Sequence, residues 1–269
     1  MNNLFTVAYF SFSEEYGAEH AGFTHSFNIT KSLSKYINII VFFSFKKPLN
    51  ITTGKLKIYG IMLPSLKNIF NNNPTRYIKS FLNIKKLVKN ADLIHERFHV
   101  NPVDLIFIKK NKPYILEIND PAMVLYSGFK GTLYRCLINL KLRRCNAIIT
   151  QTNTLKSILS KFINKPIYVI SNGVDFKKFR SYDVNFRKEF RKKMNIRDNT
   201  NVAIFIGSFM KWHGVGDIIK LAELIPDVIF LVVGGTGHLF DEIKEKSKGV
   251  KNLILLGSKP SEEIPNLLS

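Results

Sequence analysis

At 269 residues, with 45% hydrophobic and 22% charged side chains, the chain can bury one large or two ordinary cores, which excludes a disordered polypeptide. A net charge of +20 favours anionic partners such as nucleotides, lipid surfaces or nucleic acid, yet the abundance of Lys, Asn, Ile and Phe also fits codon bias, and both readings stay open. Two cysteines, Cys136 and Cys145, are too few for a disulfide framework or a structural zinc site.

Apolar runs alternate with helical patterns, the signature of a parallel sheet covered by helices. Strands are predicted at Leu4 to Phe10, Asn38 to Phe45, Lys55 to Ile61, Asp92 to Arg97, Tyr114 to Ile118, Ala147 to Thr150 and Ile167 to Ser171. These form a first domain over residues 1–175. The polar, basic stretch 176–200 reads as a connector with a short surface helix. A second series follows over 201–269: strand Val202 to Gly207, helix Val215 to Leu224, strand Val228 to Gly234, helix Leu239 to Lys246, strand Leu253 to Gly257 and a helix opening near Ser261. Both domains are expected to carry helices on two faces of the sheet. A doubly wound sheet has two such halves, so the second domain is expected to be incomplete, with its first strand an open edge that a partner chain would complete.

No apolar run approaches the roughly 20 residues that span a bilayer. The start, Met1 to Phe10, lacks a basic leader and reads as a strand, so the expected location is the cytoplasm. Peripheral contact at the inner membrane face is left open by the helix after Pro74, which sets Ile78, Phe81, Leu82 and Val88 against Arg76, Lys79, Lys86 and Lys89.

Three local motifs carry chemistry. His95-Glu96-Arg97-Phe98-His99 fits the zincin pattern H-E-x-x-H, which would make the chain a zinc hydrolase, but that pattern needs a helix. Here it straddles a predicted strand end and an N-cap at Asn101-Pro102, so no metal is expected. Gly234-Gly235-Thr236-Gly237 lies between strand and helix, where glycines let backbone approach a phosphate, although Phe240 replaces the third glycine of a dinucleotide fingerprint. Gly207-Ser208-Phe209-Met210-Lys211-Trp212-His213-Gly214 is a second such turn, with a cation and a histidine placed to receive a diphosphate. Its bland alternative is a loop packed by Trp212. Sequence-selective nucleic-acid binding, the main rival class, is not expected, since no reading helix or aromatic platform is evident.

Taken together, three groups of residues resemble family 4 glycosyltransferases of the GT-B fold. Tyr168-Val169-Ile170-Ser171-Asn172-Gly173-Val174-Asp175 with Phe179 is similar to the segment closing that family's N-terminal domain. Gly207 to Gly214 and Gly234 to Gly237 are similar to its two donor-domain turns. Glu96-Arg97 with Leu116-Glu117-Ile118-Asn119-Asp120-Pro121 is similar to a paired motif of one branch. The resemblance implies an α/β fold of two Rossmann-like domains and a retaining transferase. Such an enzyme needs no cofactor and moves a sugar from a nucleotide-sugar donor to a glycan or lipid-linked acceptor. It places Gly207, Ser208, Lys211, His213, Gly214, Gly235 and Gly237 at the donor diphosphate, and Gly17, Asn119, Asn172 and Gly173 on the acceptor side. No catalytic residue is assigned. Ser208 stands where many members have Arg, His213 where they have Lys, and Asn119 where they have His; the Glu-x7-Glu segment falls beyond Ser269. Residues 1–269 alone are therefore expected to be inactive or nearly so.

Overall fold

The computed structural model describes residues 5–15, 21–44, 49–61, 74–99, 107–108, 111–119, 138–179, 184–209 and 213–268. The chain divides into two compact units, Met1–Gly173 and Val174–Ser269.

Unit 1 is built on an eight-stranded sheet. Its strands are β1 (Thr6–Glu15), β2 (Asn38–Ser44), β3 (Leu49–Thr53), β4 (Leu56–Ile61), β5 (Leu93–Arg97), β6 (Tyr114–Ile118), β7 (Ala147–Thr150) and β8 (Ile167–Val169), in the order β3-β4-β2-β1-β5-β6-β7-β8. All neighbours are parallel except β3 and β4. The central strands read as continuous apolar runs because both faces are covered. Alternation splits them: Val7, Tyr9, Ile39, Val41 and Phe43 enter one core, while Ala8, Phe10, Ile40 and Phe42 enter the other. Helix α1 (Ala21–Leu33) closes the first core with Phe23, Phe27 and Leu33. On the second face, α2 (Pro74–Lys89) buries Ile84 and Val88. The helical residues 138–144 add Ile138 and Leu142, and α3 (Asn153–Leu159) adds Leu155 and Leu159. Thr152 caps α3, its hydroxyl accepting from Leu155 N.

Two features differ from the sequence expectation. Strand β3 was not expected; the short, polar segment after Pro48 becomes a strand by hairpin pairing to β4 through Gly54, whose φ of 58° suits a tight turn. Strand β1 runs past Phe10 to Glu15, with an irregularity after Ser11, because Ser11 is fully buried and bonded to Ser26 instead of starting a loop. The strand order reverses between β1 and β5, so the crevice outside their carboxyl ends is the ligand position that this topology favours.

Unit 2 holds α4 (Val184–Lys193) and a parallel sheet β11-β10-β9 made of β9 (Asn201–Ile206), β10 (Val228–Val233) and β11 (Leu253–Gly257). The crossovers are α5 (Val215–Leu224) and α6 (Gly237–Lys246), and the short α7 (Ile264–Leu267) follows. Both crossover helices enter one core: Val215 and Ile219 from α5 and Ile243 from α6 meet Phe209 and Val232. Helices were expected on two faces. Two successive right-handed crossovers stepping in the same direction put both on the same face. Among the described strands β9 pairs only with β10, which makes it the edge. No helix among the described residues is long and apolar enough to cross a membrane.

Candidate functional site

Polar groups collect in unit 1 where the carboxyl ends of β1, β5 and β6 meet α1. Tyr9 of β1, His95 of β5 and Glu117 of β6 point to the α1 face of the sheet, and Glu117 is 2% exposed. Each of its oxygens is used twice. His25 Nε2 lies 2.5 Å from Oε1, to which Asn119 Nδ2 also donates at 2.9 Å. Tyr9 donates its hydroxyl to Oε2 at 3.1 Å, and His95 Nε2 is 3.1 Å from the same atom. Behind them Ser11 Oγ and Ser26 Oγ are 2.8 Å apart, and Thr30 donates back to the Ser26 carbonyl.

Burial alone would raise the Glu117 carboxyl, but the hydrogen bonds that His25 and His95 make to it, with their attraction for its charge, outweigh burial and hold the group well below the usual carboxylate range. Tyr9 is driven the other way, first by burial and then by the Glu117 charge, so its hydroxyl stays protonated. The Asn119 amide is oriented by its bond to the carboxylate, leaving Oδ1 buried with no hydrogen-bond partner.

The zincin reading fails on geometry. His95 sits in β5, not in a helix, and faces Tyr9 and Glu117, whereas His99 packs edge-on against Phe12 on the opposite face. Glu96, between them, points into that second face, where Tyr114 donates to it and Lys141 pairs with it, both at 2.5 Å. It is a structural ion pair and not a general base. Among the described residues no group of three or more His, Cys, Asp or Glu is arranged to hold a metal. Cys145 is buried and free, its thiol pushed up to about 11 mainly by that burial.

In unit 2 the turns after β9 and β10 interlock. Gly207 N donates to the Val233 carbonyl at 3.0 Å and Gly234 N to the Gly257 carbonyl at 2.8 Å. A β-carbon on Gly235, whose φ is 69°, would lie 2.4 Å from the Phe209 ring. Phe209 is 3% exposed and stacks on Phe240. Gly234 and Gly235 are therefore required by packing, and the aromatic under the loop is Phe209. His213 closes the first turn: its Nδ1 is 2.5 Å from the Ser208 carbonyl and 3.1 Å from the Ser208 hydroxyl. Gly214, with φ 70°, is the N-cap of α5 and gives the first backbone N–H groups of that helix no side-chain cap of its own. This turn can take an anion on N–H groups and one imidazole.

Of the residues singled out in the sequence, the structure joins Ser208, His213 and Gly214 at one turn and packs Gly207 against the glycines after β10. Gly237 starts α6 with open space at its α-carbon. Asn119 belongs to the Glu117 cluster. Asn172 and Gly173 are exposed on the segment after β8. Gly17, Lys211, Trp212, Asn101-Pro102 and Cys136 lie outside the described residues. Sequence reasoning missed His25, Tyr9 and the role of Glu117. The available signal was Ser26 and Thr30, polar residues interrupting the apolar stripe Phe23, Phe27 and Leu33 of α1.

Comparison with known proteins is consistent along the chain. Residues 24–178 match Glycosyltransferase Family 4, and residues 186–269 match Glycosyl transferases group 1. An uncharacterized glycosyltransferase of Methanocaldococcus jannaschii is 26% identical over 250 residues, which cover 82% of this chain and 61% of that relative. The chain thus spans less than two thirds of that relative's length. Among solved structures, the sucrose-phosphate synthase of Thermosynechococcus elongatus superposes with a TM-score of 0.71 at 12% identity, over 98% of this chain and 73% of that one. Anabaena HepE, solved in complex with UDP-glucose, gives 0.68 at 16% identity, over 98% and 71%. At these identities the likeness establishes the fold.

Proposed function

Because the chain belongs to Glycosyltransferase Family 4, we propose that it serves transfer of a sugar from a nucleoside-diphosphate donor to a hydroxyl acceptor, with unit 2 on the donor side and unit 1 on the acceptor side. The observation that carries this reading is the turn Ser208 to Gly214, an imidazole pinned ahead of the N-terminus of α5 at the carboxyl end of a parallel strand. Positive groups aimed at a departing diphosphate lower the barrier by stabilising the charge that develops there. The complex of HepE with UDP-glucose supports a uridine nucleotide as the first donor to test. Retention of configuration, a hexose as the transferred sugar and a glycan or lipid-linked acceptor complete the reading, and the net charge of +20 suits an acceptor at an anionic membrane.

Calorimetric titration of the chain with UDP, UDP-glucose and GDP-mannose tests it. Saturable binding of one nucleotide, competed by its sugar conjugate, is expected. Absence of binding by every nucleotide would overturn the proposal.

A further inference from the structure

Glu117 has four hydrogen-bond positions on its two oxygens, and all four are filled, by His25, Asn119, Tyr9 and His95. A buried carboxylate so saturated, and held well below the usual range by those donors, is neither a base nor a nucleophile at neutral pH; it is a holder. The question is what it holds in place.

Three of its partners are enclosed. Tyr9 is fully buried, His95 is 8% exposed and the remaining Asn119 oxygen is buried. The His25 side chain keeps 16% of its surface. It sits on α1, the helix that follows β1, beside the point where the strand order reverses. With Nε2–H donated to the carboxylate, a neutral ring carries its lone pair on Nδ1, the one acceptor that it offers.

We propose that His25 is the residue of unit 1 that meets the sugar acceptor, its Nδ1 accepting a hydrogen bond from an acceptor hydroxyl, with Glu117 as the positioning residue that sets its tautomer and orientation. The identity of the ligand rests on the proposed function; the tautomer and its cause do not. Asn119 shares the Oε1 atom of Glu117 with His25, so it braces the same oxygen from the other side.

Long-range proton–nitrogen NMR of the histidine rings in the full chain tests both parts, with His25→Gln used for assignment. In its neutral form the His25 ring is expected to show a protonated Nε2 and a bare Nδ1. Glu117→Gln presents an amide that can donate to Nε2, so this variant should shift the His25 ring toward the Nδ1–H tautomer while amide spectra confirm a folded sheet. An Nδ1–H tautomer in the unaltered chain, or no change in Glu117→Gln, would overturn the positioning role. Titration with a panel of methyl hexopyranosides, with UDP present, should move the His25 Nδ1 resonance to the field of a hydrogen-bonded nitrogen. Silence of His25 across the panel while UDP still binds would overturn the acceptor contact and leave the donor reading standing. Loss of UDP binding with the tautomer intact would do the reverse.

Discussion

A β-carbon added to Gly234 would lie 1.9 Å from the carbonyl oxygen of Gly207. The two turns at the carboxyl ends of β9 and β10 therefore touch backbone to backbone, and Gly234 holds φ 119° to permit it. Gly234→Ala combines an unfavourable backbone with a hard clash and should lower the stability of unit 2 by roughly 2–5 kcal/mol. Gly237→Ala, where nothing lies within 4 Å, should cost only about 1 kcal/mol from φ alone. Hydrogen exchange of the β9 and β10 amides distinguishes them; equal protection in the two variants would contradict the packing role.

Asn252 binds unit 2 together through its amide. Its Nδ2 shares two hydrogens among the carbonyls of Ala222, Ile225 and Val228, at 2.9, 3.0 and 2.9 Å, joining the end of α5 to the start of β10. Asn252→Ala leaves these carbonyls to water and should cost about 1–2 kcal/mol in urea unfolding. Asn252→Asp should cost more, since it turns a carboxylate toward three carbonyl oxygens.

The Glu117 cluster makes stability depend on acid. The folded state lowers this carboxyl below its ordinary value of 4.5, so the native form binds fewer protons than the unfolded one. Its contribution is full above that value and is lost as pH falls below it. Urea midpoints measured from pH 7 down to pH 3 should therefore decline more steeply for the unaltered chain than for Glu117→Gln, which starts lower at neutral pH. Parallel curves would show that the carboxylate is not held by its four donors.

Much of the fold was legible because the central strands of unit 1 are buried on both faces and read as unbroken apolar runs, as Tyr9 to Phe10 and Val41 to Phe43 do. The hairpin partner β3 was not, since Leu49–Thr53 gains its strand character from pairing with β4 and not from its own pattern. The same limit hid the site. Tyr9 and Glu117 are separated by 108 positions and His25 and Glu117 by 92, so only the parallel order β1-β5-β6 brings them together. The glycines after β10 were visible as a turn, whereas the reason for two of them, Gly207 and Phe209 arriving from the preceding turn, is a tertiary contact.

In the turn after β9, His213 is fixed through Nδ1 by Ser208, which holds the imidazole ahead of the N-terminus of α5. His213→Ala should weaken UDP binding by about 1 kcal/mol, roughly fivefold, the scale of one exposed charge-assisted contact. Ser208→Ala, which keeps the carbonyl contact, should have a smaller effect. Calorimetry checks the order, and unchanged affinity in His213→Ala would remove this residue from the donor site.

On the other face of the unit 1 sheet, Lys141 is 1% exposed and Glu96 is wholly enclosed, with 2.5 Å between ammonium and carboxylate. The lysine also donates to the His99 carbonyl at 2.7 Å and lies 5.6 Å from the centre of the Phe98 ring, and Tyr114 donates to the carboxylate. Such a pair adds little net stability over an apolar replacement, because removing two charges from water costs about what their attraction returns. What it does is tie the chain at and beyond the end of β5 to the helical residues 138–144. Removing one charge takes from the other, buried as it is, its ion-pair partner, so Lys141→Met should cost about 3–5 kcal/mol. The paired change Lys141→Met with Glu96→Leu should recover much of that loss, because both charges of the pair are removed together. A double-mutant cycle in urea then separates the alternatives: strong coupling marks a dry, mutually dependent pair, whereas additive losses would mean that water reaches the site and that each charge is solvated independently.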